Sequence, residues 1–329
     1  MAQPAWLHLF ERTFPSANMV LVRGETPVLI DTGFGSDVEQ TKALLLGAGV
    51  PAERVAPVVN THYHSDHVGG NFHLQSRYGV PIAAHRWEAG VVNSRDKEAC
   101  GARWLCQPVE PYTVNRFLAD GDEISAGGVM LRVLHTPGHT LGHVSLFEQR
   151  EKILICGDAV HKDDVAWLNP FREGVGAVER AMDSLERLLR LGARWACSGH
   201  GKPMSDSSTA LRRALQRYER WLEEPERAAW HGMKRIFAYA LMIEGGLSEE
   251  EVTTYLLSSP WFTDYSAHVF GLAPEALVAP LLQEMQRSEA AAWRRAAEGR
   301  RLIALAPHQP PERWRPEHTR PCAWPKAVR

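Results

Sequence analysis

His62, His64, Asp66 and His67 fall within six residues, in the run Asn60-Thr61-His62-Tyr63-His64-Ser65-Asp66-His67-Val68-Gly69-Gly70. Four side chains able to bind a divalent cation, packed this densely, constrain the chain more than any other feature. The run follows an apolar stretch, Val55 to Val59, and precedes a glycine pair. That pattern reads as a loop leaving a buried strand and entering a helix. Rigid scaffolds present their chemistry on loops of this kind. The fold is therefore expected to carry its site at strand ends.

The chain is long enough to build such a scaffold. It has 329 residues, 44% of them apolar, enough for one large domain or two ordinary ones. The formal net charge is -2, so no basic excess favours nucleic acid, although arginine is locally frequent after residue 286. Five cysteines (Cys100, Cys106, Cys156, Cys197, Cys322) show no paired spacing. Cys156 and Cys197 sit in apolar runs and read as buried thiols, which suits a reducing compartment. The stretch Met1 to Trp6 has neither a charged nor an apolar leader region, and no apolar run reaches spanning length. A cytoplasmic protein acting on a small molecule, without a membrane or nucleic-acid partner, is the expectation.

Residues 1–207 alternate short apolar strands with glycine turns and a few helices. Met19 to Val22 and Val28 to Ile30 read as strands flanking a turn, and Asp31-Thr32-Gly33 closes the second. Val129 to Leu134, Val144 to Phe147, Lys152 to Cys156 and Trp195 to Ser198 read as further strands. Val178, Met182, Leu185 and Leu189 recur at helical spacing. From 208 to 306 strand signals vanish and a helical domain is expected. Ser248-Glu249-Glu250-Glu251 has the pattern of a capping box. The helices on either side of Glu244-Gly245-Gly246-Leu247 suggest a helical hairpin, with a helix-turn-helix as the alternative. Residues 307–329, rich in proline and arginine, read as an irregular tail that Trp314 and Trp324 could pin to the body.

Four further segments hold residues suited to metal chemistry, each beside glycine or proline at a strand end. They are Ile30-Asp31-Thr32-Gly33, His135-Thr136-Pro137-Gly138-His139, Gly157-Asp158 and Gly199-His200-Gly201. Together with the first run, in this order, they resemble the metallo-β-lactamase-fold hydrolase superfamily over roughly residues 15–203. The resemblance implies an α/β (α+β) fold, a four-layer αββα sandwich with a C-terminal helical extension that could be winged-helix-like. It implies two divalent metals, Zn²⁺ first, with Fe or Mn also suited to such donors. His62, His64 and His139 would hold one metal, and Asp66, His67 and His200 the other. Asp158 would bridge them, and Asp31 would orient a ligating histidine from behind. His135 and His143 are expected to make structural hydrogen bonds, and His73 and His85 to be non-ligands. His161 and Trp167 are candidate pocket residues, with a surface-loop position the alternative for His161, and Ser65 reads as loop filler.

The implied chemistry is attack by a metal-bridging hydroxide on an electrophilic centre, with Asp66 helping to orient the nucleophile or move a proton. Asp158 argues against a true β-lactamase, in which that aspartate is replaced. His64 stands where flavo-diiron members carry a glutamate. Only about forty residues separate Asp158 from His200, too few for the domain inserted in RNA-processing members. The first reading is a glyoxalase II-like or lactonase-like hydrolase of a small thioester or lactone. Its alternatives are a phosphodiesterase or nuclease, a mononuclear iron persulfide dioxygenase, and a non-enzymatic binding module. A homodimer through the helical region is a further option.

Overall fold

Short, wholly apolar strands set the frame. The computed structural model describes residues 3–174, 176–297, 299–305 and 320–325. Strands β1 (Leu7–Phe10), β2 (Met19–Val22), β3 (Val28–Ile30), β4 (Val58–Val59), β5 (Ile82–His85) and β6 (Arg116–Leu118) form one sheet in that order. It is antiparallel through β3 and parallel from β3 to β6. Strands β7 (Glu123–Ser125), β8 (Met130–His135), β9 (Val144–Glu148), β10 (Ile153–Ile155) and β11 (Trp195–Cys197) form the second sheet, in the order β11-β10-β9-β8-β7. Only its β10–β11 pair is parallel.

Parallel neighbours need crossover connections, and helices supply them. α1 (Val38–Gly47) links β3 to β4, while α2 (Ser65–Val68) and α3 (Asn71–Tyr78) link β4 to β5. α4 (Arg86–Asn93) and α5 (Ala102–Leu105) precede β6, and α6 (Ala177–Arg190) lies between β10 and β11. Strands β2, β3 and β4 are buried at every residue, as strands covered on both faces must be. Alternation decides the layers. Val20 and Val22 meet Val133 and Leu146 between the sheets. Met19 and Leu21 face the opposite way and pack with Leu45 and Leu74 of the outer helices. Leu154 of the second sheet packs against Leu185 and Leu188 of α6. The result is the expected helix-sheet-sheet-helix sandwich.

The segment after 207 departs from the helical expectation. α7 (Ser207–Glu223) packs on α6, and α8 (Pro225–Ile243) follows it. Then come β12 (Leu247–Ser248), α9 (Glu249–Ser258), α10 (Pro260–Tyr265), α11 (Pro274–Arg287), β13 (Ala291–Ala296) and β14 (Gly299–Ala304). β14 lies between β12 and β13 in an antiparallel sheet, so the segment has winged-helix topology rather than being purely helical or a helical hairpin. The sequence Ala291-Ala292-Trp293-Arg294-Arg295-Ala296 carries good helix formers and no β-branched residue. Its strand state comes from pairing with β14 and from burying Ala291 and Leu302 with Phe237 and Leu281. The Ser248 capping box forms as expected. Of the tail, Trp324 is buried and donates from Nε1 to the Val109 carbonyl at 3.2 Å, with Arg95 over its ring. Trp314 lies outside the described residues. No helix among them is long and apolar enough to cross a membrane.

Candidate metal centre

The residues at the C-terminal ends of β3, β4, β10 and β11, with the loop after β8, converge on one point. His62, His64 and His139 bring one ligand atom each to within 4.8 Å of one another, and so do Asp66, His67 and His200. Asp158 stands between the two groups. Its Oδ2 is 3.7 Å from His139 Nε2 and 3.5 Å from His200 Nε2, and its Oδ1 is 3.4 Å from His67 Nε2. The structure thus brings together all seven residues that the sequence singled out as ligands. His62 Nε2, His67 Nε2 and Asp158 Oδ1 are buried with no hydrogen-bond partner. Buried polar atoms are rarely left so, and three around one point fit ligands to a metal cation.

The surrounding hydrogen bonds fix the rings. Asp31 Oδ2 accepts from His67 Nδ1 at 2.8 Å, and the carboxylate is itself held by Thr61 N and Thr61 Oγ1. Nε2 of His67 is therefore the free ligand atom, the arrangement expected of Asp31. His139 Nδ1 donates to the Trp167 carbonyl at 2.7 Å, which turns its Nε2 towards Asp158. His143 accepts from the Asp158 backbone N–H and contacts Thr136, while His135 donates to the Leu141 carbonyl. Both make the structural bonds expected of them. His73 and His85 fall in no ligand group among the described residues.

Burial opposes a charged imidazole throughout the cluster. At His62 and His64 burial, reinforced by neighbouring histidines, holds the pKa well below its usual value and favours the neutral ring. Burial lowers His139 as well. At His67 burial is outweighed by Asp158, Asp31 and Asp66, and the pKa lies well above the ordinary one. At His200 burial is again outweighed, by Asp158 and Asp66, and the pKa is pushed up to about 9. Burial would raise Asp158, but His200 and His67 hold it well below the carboxylate range. His67 and His200 therefore favour their protonated forms, and a cation bound there would release those protons.

A cavity of about 440 Å³ opens onto this cluster. His161 and Trp167 both line it, so of the two positions open to His161 the pocket is the one observed. The Trp167 ring stacks on His64 at 5.4 Å, and His161 lies 5.5 Å from His200. The far wall comes from α8, through Arg235, Ile236 and Tyr239.

The Metallo-beta-lactamase superfamily profile matches residues 12–200. The chain belongs to the metallo-beta-lactamase superfamily. Relatives include the acyl-coenzyme A thioesterase MBLAC2 of Gallus gallus, 31% identical over 53% of this chain and 69% of that protein. The hydroxyacylglutathione hydrolase of Methylococcus capsulatus is 33% identical, over 43% of this chain and 45% of the relative. Among solved structures, the metallo-beta-lactamase family protein TTHA1429 of Thermus thermophilus has a TM-score of 0.60 at 22% identity. The match covers 92% of this chain and all of that one.

Several residues of this metallo-beta-lactamase-superfamily site were not legible in the sequence. Ser65 is not filler. It is fully buried, its Oγ donates to Gln107 Oε1 at 2.7 Å and so accepts from the Tyr239 hydroxyl at 3.1 Å. The ligand-bearing helix α2 is thereby tied to α8. Asp164 ties the loop carrying His161 and Trp167 to the same extension. Its carboxylate accepts from Arg217 of α7 and from Arg235 and His231 of α8. Position within the ligand motif was the one signal that could have pointed to Ser65. Tyr239 and Asp164 carry none, because their partners are 174 and at least 53 residues away in the chain.

Proposed function

We propose that the protein is a binuclear, metal-dependent thioesterase of a small acyl substrate, with zinc the favoured metal. The observation that carries this reading is Asp158, whose Oδ2 lies between His139 of the first group and His200 of the second while its Oδ1 faces His67 of the second. His62, His64 and His139 would hold one ion, Asp66, His67 and His200 the other, and Asp158 both. Imidazole and carboxylate donors suit Zn²⁺. When bound, such a pair supplies hydroxide at neutral pH and Lewis acidity towards an acyl oxygen. Asp66, which lines the cavity with Oδ2 3.2 Å from His200, would orient a nucleophile and accept its proton. Trp167, Leu105, Phe14 and Ile236 offer an apolar wall to an acyl group and limit water.

A thioester is favoured over a lactone by the relatives: the MBLAC2 proteins and the hydroxyacylglutathione hydrolases act on such bonds by name. All five cysteines are free thiols, which supports a reducing, cytoplasmic location. The test is a panel of acyl thioesters, lactones and bis-p-nitrophenyl phosphate with zinc- and manganese-loaded protein, alongside metal analysis. Thioester turnover with about two metals per chain is expected. Turnover confined to the phosphodiester, or a single iron with oxygen uptake on persulfide, refutes the reading.

A further inference from the structure

Next to the Asp164 cluster lies a second groove of about 490 Å³ lined by α7, α8 and α11. Arg217, Arg220, Arg227, Lys234 and Arg287 line it, with Glu284 as the one lining carboxylate. Arg217 pairs with Asp164, Arg227 with Glu224, and Lys234 and Arg287 share Glu284. Even counting those partners, cations outnumber carboxylates, and Arg220 makes no ion pair among the described residues. Positive charge concentrated in a concavity attracts a multiply charged anion, and Arg is suited to phosphate.

The rest of the lining is not what a lone phosphate needs. Trp221 and Trp230 border the groove, and His231 packs 4.7 Å from the Trp221 ring. His231 Nε2 donates to Asp164 at 3.2 Å, which leaves Nδ1 as an acceptor, and this atom is buried without a partner. A bare acceptor beside indole rings and cations matches an amine or hydroxyl of a nucleoside that also carries phosphates. We propose that this groove binds the nucleotide-phosphate end of a coenzyme A-type thioester whose acyl end lies at the metal centre. The inference rests on the thioesterase reading and narrows it to a nucleotide-bearing carrier.

The two cavities adjoin. Asp164 and Arg235 line the catalytic one, while Arg217 and His231, which bind the same Asp164, line the groove. α8 runs past both. Arg227 stands in its first turn and Tyr239 twelve residues on, about 18 Å of helix rise. An extended carrier arm laid along α8 would span this distance, a route that a carrier without phosphates has no reason to follow.

The test uses the metal-loaded full chain and adenosine 3′,5′-bisphosphate as a non-reacting probe in titration calorimetry. It is paired with steady-state kinetics on an acyl-coenzyme A and on the matching acyl-pantetheine, which lacks the nucleotide. The parent should bind the bisphosphate. Arg220→Glu and Arg287→Glu, at exposed positions, should each weaken that binding and raise KM for acyl-coenzyme A by about tenfold with kcat unchanged. Acyl-pantetheine kinetics should stay within about twofold. Bisphosphate that fails to bind while thioesters are still hydrolysed overturns the groove and leaves the thioesterase standing. Bisphosphate bound in the parent and lost in both variants, with no thioester turned over, supports the groove and removes the thioesterase reading. Equal KM changes for both substrates, or a preference for an acyl group on a carrier protein, also overturn the proposal.

Discussion

Gly199 is the position where one methyl group should disable the centre. It precedes His200, and a Cβ there would lie 2.2 Å from Asp158 Oδ1, 2.5 Å from His67 Cε1 and 3.2 Å from His67 Nε2. Ordinary contact begins near 3.4 Å, so in Gly199→Ala the Asp158 oxygen must retreat by about 1.2 Å or the His200 loop must lift away. Either movement separates the Asp158 carboxylate from His67 and His200. Misplacement on this scale costs on the order of a hundredfold in rate, and overpacking costs about 1–3 kcal/mol in stability. Metal content by plasma mass spectrometry, kcat/KM on the best thioester and thermal melting read the three effects separately. The expected variant is folded, melts a few degrees lower, carries about one metal per chain and has lost roughly a hundredfold in kcat/KM. Gly47→Ala, in the last turn of α1 with nothing within 4 Å, is the control and should behave as the parent. A Gly199→Ala protein with full metal content and kcat/KM within about threefold of the parent would refute the placement of Asp158 and His67 at one centre.

Asp31→Asn keeps the shape of the side chain but removes the charge that holds His67 Nδ1–H, so metal affinity should fall by about 10- to 100-fold in a chelator competition. Asp164→Ala leaves Arg217, Arg235 and His231 without their shared partner. With Asp164 about a third exposed, solvent screens the loss, and about 1–3 kcal/mol is expected in urea unfolding. Its kcat should drop as well, because the loop that carries the Trp167 carbonyl loses its anchor, and unchanged kcat would sever that link. Glu173 has its pKa raised to about 7 by burial, against an ordinary 4.5. The folded state therefore keeps the proton longer than the unfolded state does. The associated stability is complete below about pH 4.5 and is lost progressively up to about pH 7, by at most about 3 kcal/mol. Glu173→Gln should stabilise the protein at pH 8 and not at pH 4, and the opposite order in paired unfolding curves rules the mechanism out.

Much of the centre was legible because its chemistry is local or tied to strand ends. His62, His64, Asp66 and His67 share one loop and short helix, where spacing alone sets which side chains can converge. His139, Asp158 and His200 each follow a strand, and once strands alternate in and out, their ends fall on one edge of the sandwich. The second half resisted because its strands are not specified by propensity. Ala291–Ala296 reads as helix and becomes a strand only against β14.

By itself, then, the sequence pointed to the scaffold and the seven candidate ligands through residue type, motif order and the family resemblance they carry, and the resemblance supplied the role expected of Asp31. Tertiary structure alone decided what surrounds them. The Ser65–Tyr239 bond, the Asp164 cluster and the basic groove each join residues far apart in the chain. Such contacts arise from how α7 and α8 dock on the sandwich, and docking depends on the shapes of two packed surfaces rather than on any pattern within a single segment.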